Sequence, residues 1–125
     1  MADDKLLVLI QRLSDQTNQG NVKWEKTVDD GVFQASFPGY SIHILTRTSR
    51  IPQASDPDYV LEIYNDDGVL IEQADDVDFK DLGLDPPIFT TMEQMYTKAR
   101  RMAMGVDRAL DSLLGSLDDL DLPSI

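Results

Sequence analysis

The stretch VKWEKTVDDGVFQASFPGYSIHILTR, residues 22–47, decides the fold of this chain. Apolar and polar residues alternate along it, and turn signals divide it at DDG (residues 29–31) and PG (residues 38–39). A period of two is typical of strands buried on one face, and turns of this kind join antiparallel neighbours. We therefore predict three antiparallel strands here. The alternating positions of one face are Val22, Trp24, Lys26, Val28, Phe33, Ala35, Phe37, Tyr40, Ile42 and Ile44.

A second pair of alternating runs follows a loop with two prolines at residues 49–58. The runs at residues 59–64 and 69–74 are separated by the turn sequence NDDG. The whole segment predicts an antiparallel meander of about five strands with one apolar face. Such a face must be covered, so we expect a two-layer α+β fold in which an N-terminal and a long C-terminal helix cover the sheet.

Both helices are predicted from apolar residues that recur with a period of 3.6. The first spans residues 4–17. The second spans residues 90–117 and begins at a capping box formed by Thr90 and Glu93. Its stripe is Met92, Met95, Tyr96, Ala99, Ala103, Val106, Leu110, Leu113, Leu114 and Leu117. Unbroken, it would be about 42 Å long, more than a domain of this size is wide. Either Gly105 bends it, or its end projects and leaves a leucine stripe for a partner.

The C-terminal residues alternate leucine with aspartate. We divide the chain into a single domain, residues 1–117, and an acidic tail, residues 118–125. Leu120 and Leu122 make this tail either a segment that docks on a partner or protomer, or a frayed terminus.

The net charge of −12 is unevenly distributed. Residues 52–90 carry eleven acidic side chains against the single Lys80, whereas residues 1–51 are balanced. The negative electrostatic field of these residues repels nucleic acid and anionic membranes and favours a basic protein partner. The alternative is that the acids serve solubility alone, and residues 75–87 then form a solvated acidic loop.

Arg100 and Arg101 form the sharpest basic feature. Neighbouring helix residues point about 100° apart, so the two side chains do not form a fork. We expect one of them to pair with acids of residues 75–85 and the other to be solvated. They could instead anchor an acidic or phosphate-bearing partner.

Residues that would support catalysis or cofactor binding are scarce. Cysteine is absent, His43 is the single histidine, and the glycines are isolated at turns rather than clustered in a phosphate loop. The NDDG turn lacks the ligand spacing of a calcium loop, and the acids from Asp75 to Asp81 could hold a divalent ion only weakly. We therefore expect no enzyme activity, no cofactor and no metal. The acidic N-terminus, without a signal-peptide pattern, predicts a cytoplasmic protein without a membrane segment.

The chain resembles a group of small, uncharacterised bacterial proteins. The resemblance rests on Trp24 at the start of the sheet, on DYVLEIYN (residues 58–65) before an Asp-Gly turn, and on a final helix of the form ARRxAxGVDxALxxLLxxL (residues 99–117). It implies the same helix, antiparallel sheet and helix order, and a bacterial or phage origin. It implies no activity.

Three functional classes remain open. The first is a protein-binding or adaptor module that forms a homodimer through its C-terminal helix. The second is a chaperone-like protein for a secreted partner, and the third is an acidic inhibitor or nucleic-acid mimic from a phage or defence locus. The first class is favoured by the leucine helix, the acidic surface and the lack of catalytic residues. Its candidate partner-binding residues are Arg100, Arg101, Leu110, Leu113, Leu114, Leu117, Leu120 and Leu122.

Overall fold

The computed structural model describes residues 4–121, so Leu122 lies outside the described residues. It contains a five-stranded antiparallel sheet with helices on one face, which confirms the predicted α+β class. The main elements are α1 (Asp4–Asn18), β1 (Glu25–Lys26), β2 (Phe33–Phe37), β3 (Tyr40–Arg47), β4 (Asp58–Asn65), β5 (Leu70–Asp75), α2 (Ile88–Ala103) and α3 (Val106–Leu120). A short 3-10 helix, Asp76–Phe79, follows β5.

The strands form a meander in which each pairs with the next along the chain. Phe33, Ile44, Leu61 and Ala74 are successive cross-strand neighbours from β2 to β5. All four side chains are buried, so this row forms the floor of the core on the inward face of the sheet. The register follows from the pattern, because slipping by one residue would turn the whole row outward.

The first strand is shorter than the sequence predicts. Only Glu25 and Lys26 pair with β2, and Val28 is fully exposed. The Thr27 hydroxyl donates to the carbonyls of Asp29 and Val32, at 3.1 and 2.9 Å, and thereby organises the turn that ends the strand. The prediction of one strand over residues 22–28 is therefore correct at Glu25 and Lys26 and wrong on both sides of them.

Trp24 joins the C-terminal end of α1 to the segment that leads into β1. The indole is 2% exposed, and its Nε1 donates to the Thr17 hydroxyl at 3.1 Å. The end of α1 is closed by Gly20, whose φ is 79° and whose amide donates to the Thr17 carbonyl at 3.0 Å. A glycine with a positive φ is a common way to end a helix.

The C-terminal segment forms two helices rather than one. α2 ends at Ala103 and α3 begins at Val106, because Gly105 has a φ of 64° and leaves the right-handed helical region. Of the two predicted alternatives, the structure shows the bend at Gly105, which divides the predicted helix over residues 90–117 into two helices.

The start of α2 also differs from expectation. The helix begins at Ile88, directly after Pro87, and no side chain caps it. The predicted capping box of Thr90 and Glu93 is not formed. Ile88 is 2% exposed, so packing against the core places the first turn three residues earlier than the capping pattern with Thr90 as N-cap does.

α2 runs across the inward face from β4 to β1. The ring of Phe89 lies 5.5 Å from that of Tyr59, and the ring of Tyr96 lies 5.5 Å from that of Phe33. Near its end, the sulfur of Met102 lies 3.3 Å from the Trp24 amide nitrogen. α1 lies beside α2 and covers the neighbouring part of the sheet. Among the described helices, none is long and apolar enough to cross a membrane.

Candidate protein-binding surface

α3 carries an apolar stripe that the rest of the described chain leaves uncovered. Its leucines are between 44% and 79% exposed, and no residue of α3 is buried in the part of the chain that the structure describes. Spacings of three and four residues place these leucines on one face of a helix. The α3 stripe consists of Leu110, Leu113, Leu114, Leu117 and Leu120. A 15-residue helix is about 22 Å long, and the stripe follows most of that length.

The two flanks of the α3 stripe differ in chemistry. With 3.6 residues per turn, one flank carries the acids Asp107, Asp111 and Asp118. The opposite flank carries the small residues Ala109, Ser112 and Ser116. The helix is therefore apolar in the middle, negative along one side and able to approach a neighbour closely along the other.

Arg101 lies at the junction of α2 and α3. Its Nη2 donates to Asp107 at 2.6 Å, and both side chains are exposed. Arg100 lies at a different place, in a recess that it lines together with Gly31 and Tyr96. The expected pairing with acids of residues 75–85 is therefore wrong, whereas the expectation that the two arginines do not form a fork agrees with these positions.

A second apolar surface lies between α1 and the β2–β3 hairpin. It is a groove of about 480 Å³. Phe37 and Tyr40, on either side of the hairpin turn, are 40% and 53% exposed. The residues that line this α1 groove are Leu9, Arg12, Leu13, Gln16, Asn21, Val22, Phe37, Tyr40, Ile42 and Ile63. Sequence reasoning missed the groove, although large apolar residues on both sides of a Pro-Gly turn are a signal for it.

The acids of β5 and the 3-10 helix that follows it are not a solvated loop. Asp75 is 3% exposed on its side chain and accepts from Nη2 of Arg47 at 2.9 Å and from Nε and Nη2 of Arg50, both at 3.1 Å. It also accepts from the Asp78 amide at 3.0 Å and thereby caps the 3-10 helix. Burial alone would raise the pKa of Asp75, but the hydrogen bonds from Arg50, the Asp78 amide and Arg47 hold it below its ordinary value.

Two further buried carboxylates complete this network. Asp58 accepts from the Ser49 hydroxyl at 2.6 Å and from the Arg50 amide at 3.0 Å. Asp76 accepts from the Tyr59 amide at 2.7 Å, yet burial raises its pKa above the ordinary value. The Asp58 bonds close residues 49–58 into a loop, and the Asp76 bond joins β4 to the 3-10 helix. Arg50 ties this loop to Asp75 at the end of β5, so the network organises loops. Within residues 4–121, no group of three or more His, Asp or Glu side chains could hold a metal ion.

His43 lies on the outward face of β3. Its ring lies 4.5 Å from the ring of Tyr64, whose hydroxyl donates to Glu62 at 3.0 Å. Burial lowers the pKa of His43, although Glu62 and Asp29 act in the opposite direction. The His43 ring packs against the Tyr64 ring at an interplanar angle of 39°.

The predicted partner-binding residues separate into groups. Five leucines share the α3 stripe, Arg101 lies beside it through Asp107, and Arg100 lies apart against the turn at residues 29–31. Leu122 is outside the described residues. Comparison with protein-family models, curated protein sequences and solved structures finds no match to this chain.

Proposed function

We propose that this chain is a non-enzymatic protein-binding module that self-associates through the α3 stripe. The observation that carries the proposal is a helix with five exposed leucines and no buried residue in the described chain. A helix of about 15 residues is marginal in water when it stands alone. Burying a leucine side chain contributes about 1.5–3 kcal/mol, so covering the stripe would both stabilise α3 and remove apolar surface from water.

The shape of the stripe favours a protein as its partner. Small-molecule sites are concave, whereas α3 presents a convex face. An amphipathic helix that lays its apolar side into a groove is a recurring mode of protein recognition. A lipid surface is disfavoured, because membrane-surface helices carry lysine and arginine beside the apolar face, and the α3 stripe is flanked by Asp107, Asp111 and Asp118.

A non-enzymatic role is supported by the way the reactive side chains are held. His43 is stacked on Tyr64, and the buried carboxylates are bound by arginines, amides and a hydroxyl. These hydrogen bonds order loops, which gives each of the buried carboxylates a structural role. The exposed acids of residues 52–90 favour a basic protein as an additional partner.

The oligomeric state tests this proposal. We expect light scattering to give twice the chain mass for the full chain and a smaller mass for Leu117→Asp, because the new charge lies in the middle of the stripe. Gly115→Asp is the matched control, since it adds the same charge on the opposite face, where nothing lies within 4 Å of a new Cβ.

Circular dichroism should show that both variants keep the folded core, with any loss of helix limited to the 15 residues of α3. A full chain that is monomeric at every concentration would contradict the proposal. So would a Leu117→Asp chain that associates as tightly as Gly115→Asp.

A further inference from the structure

We infer that the α3 stripe docks into the α1 groove of a second copy, so that two copies exchange their α3 helices. This inference rests on the proposed function, because it names the surface that receives the stripe. It is carried by the incomplete helical layer, by the matched lengths of two helices and by the charges on either side.

The helical layer leaves one end of the sheet uncovered. α2 crosses over Tyr59 and Phe33, and α1 lies next to it. Beyond α1 the inward face continues through Phe37, Tyr40 and Ile63, at the end of the sheet where the hairpin turns lie. An inward sheet face requires a covering element, and a third helix beside α1 would provide one.

The dimensions of α3 suit this position. α1 and α3 have 15 residues each and are therefore both about 22 Å long, so α3 can follow α1 over its full length. Packed helices lie about 8–10 Å apart, which places the leucines over the groove between α1 and the hairpin. The small flank with Ala109, Ser112 and Ser116 would allow the close approach that the sheet side requires.

The charges are complementary. Among residues 4–121, Arg12 is the one charged residue that lines the α1 groove, although the chain as a whole has a net charge of −12. With the small flank of α3 against the sheet, the acidic flank lies along α1 and faces Arg12. Asp107, Asp111 and Asp118 are the acids of that flank.

Pairing of α3 with another α3 lacks this complementarity. Each α3 carries four acids, and Arg108 is its single basic residue. In an antiparallel pair the two acidic flanks face each other, and in a parallel pair the acidic C-terminal ends lie together. Like charges at such positions are destabilising. The α1 groove of a second copy avoids that repulsion.

Exchange of α3 between two copies also gives a closed dimer, to which no third copy can add through the same surfaces. When each copy gives its α3 and receives the other, every stripe and every groove is filled within a dimer. The α3 of the same chain does not take the site, since none of its residues is buried in the described structure.

Two variants and their mixture test the exchange. Leu113→Asp with Leu117→Asp disrupts the stripe and leaves the groove intact. Phe37→Asp with Tyr40→Asp disrupts the groove at two exposed positions and leaves the stripe intact. We expect each variant alone to be monomeric, and their equimolar mixture to form heterodimers through the one intact stripe and the one intact groove. Val69→Asp with Ile71→Asp is the matched control, since both are exposed on another part of the surface, and it should remain dimeric.

The outcomes separate this inference from the proposed function. If the groove variant dimerises like the wild type while the stripe variant does not, the stripe binds another surface and the exchange is wrong. If the wild type itself is monomeric, the proposed function fails. Should the groove variant not fold, Arg12→Glu replaces it: we expect dimerisation to weaken by up to about five-fold, and an unchanged dissociation constant overturns the inference.

Discussion

Asp75 is the side chain on which the polar organisation of this fold converges. Two arginines and one amide donate to it, and it is almost fully buried. Both arginines are about half exposed, at 43% and 52%, so water partly screens the ion pairs. The value of Asp75 to the fold therefore lies in the hydrogen bonds that join residues 47–50 to the 3-10 helix.

We expect Asp75→Asn to lower the free energy of unfolding by about 2–4 kcal/mol. Asparagine has one acceptor oxygen where Asp75 has two, so hydrogen bonds are lost at a buried position, and bonds to a charged group contribute about 1.5–3 kcal/mol each. Urea denaturation followed by the fluorescence of Trp24, the single tryptophan, measures the change. Asp81→Asn makes the same substitution at an exposed position of the neighbouring loop and should change the free energy by less than about 0.5 kcal/mol.

The same residue sets part of the pH dependence of stability. The pKa of Asp75 is lowered in the fold, so its contribution is present above the ordinary carboxyl range near pH 4 and is lost as the pH falls through the lowered value. Asp76 acts with the opposite sign, because its pKa is raised. In acid, Asp75→Asn should therefore lose less stability than the wild type. Equal losses in both proteins would show that other carboxyls dominate.

At the scale of elements, the link between α2 and α3 determines where the α3 stripe lies. Gly105 adopts a φ of 64°, which costs a residue with a Cβ about 1–2 kcal/mol. Met104 precedes it in a right-handed conformation, so the change of direction is concentrated at the glycine. A left-handed residue at this point separates a helix that packs on the core from one that does not.

We expect Gly105→Ala to favour one continuous helix across the link. The chain has no cysteine, so spin labels at Lys98→Cys and Ser116→Cys are unique. In a continuous helix the 18 intervening steps correspond to about 27 Å between the two labelled backbone positions, and the measured separation should increase towards that value.

Gly115→Ala provides the control for this measurement. Gly115 lies inside α3 and has no positive φ, so alanine there should stabilise the helix without moving it. An unchanged distance in Gly105→Ala would mean that contacts of α3, rather than the glycine, determine the angle.

At the scale of the whole molecule, net charge opposes the proposed association of two copies of this chain. Each carries a net charge of −12. Raising the ionic strength from about 0.01 M to about 0.1 M shortens the Debye length from about 30 Å to about 10 Å. Because the docking surfaces are mainly apolar, salt removes more repulsion than attraction.

We therefore expect self-association to strengthen as salt is added over this range. Sedimentation at several salt concentrations measures the dissociation constant. Binding of a basic protein should change in the opposite direction, because it depends on the attraction that salt screens. A dimer that weakens as salt is added would mean that ion pairs, rather than the leucines, dominate the interface.

The meander, its register and the amphipathic helices could be read from the sequence. Periodicity and turn residues are local signals in the sequence. They are present wherever one face of a helix or strand must be buried. The leucines of the α3 stripe were found for the same reason. The start of α2 was not found, because the packing of Ile88 against the core outweighs the local capping pattern. The end of β1 was not found either, because the alternating pattern does not reveal the local hydrogen bonds of the Thr27 hydroxyl.

The sequence by itself determined the α+β class, the order of the strands and the face that carries the α3 stripe, because a single period fits each segment. Only the tertiary structure decided that Asp75 is buried and bound by Arg47 and Arg50, and that an apolar groove remains beside α1. Both depend on residues far apart in the chain. Local patterns of charge and hydrophobicity do not specify which distant side chains come into contact. The leucines could be predicted as a surface without a partner, whereas the groove that we propose receives them exists only in the folded sheet.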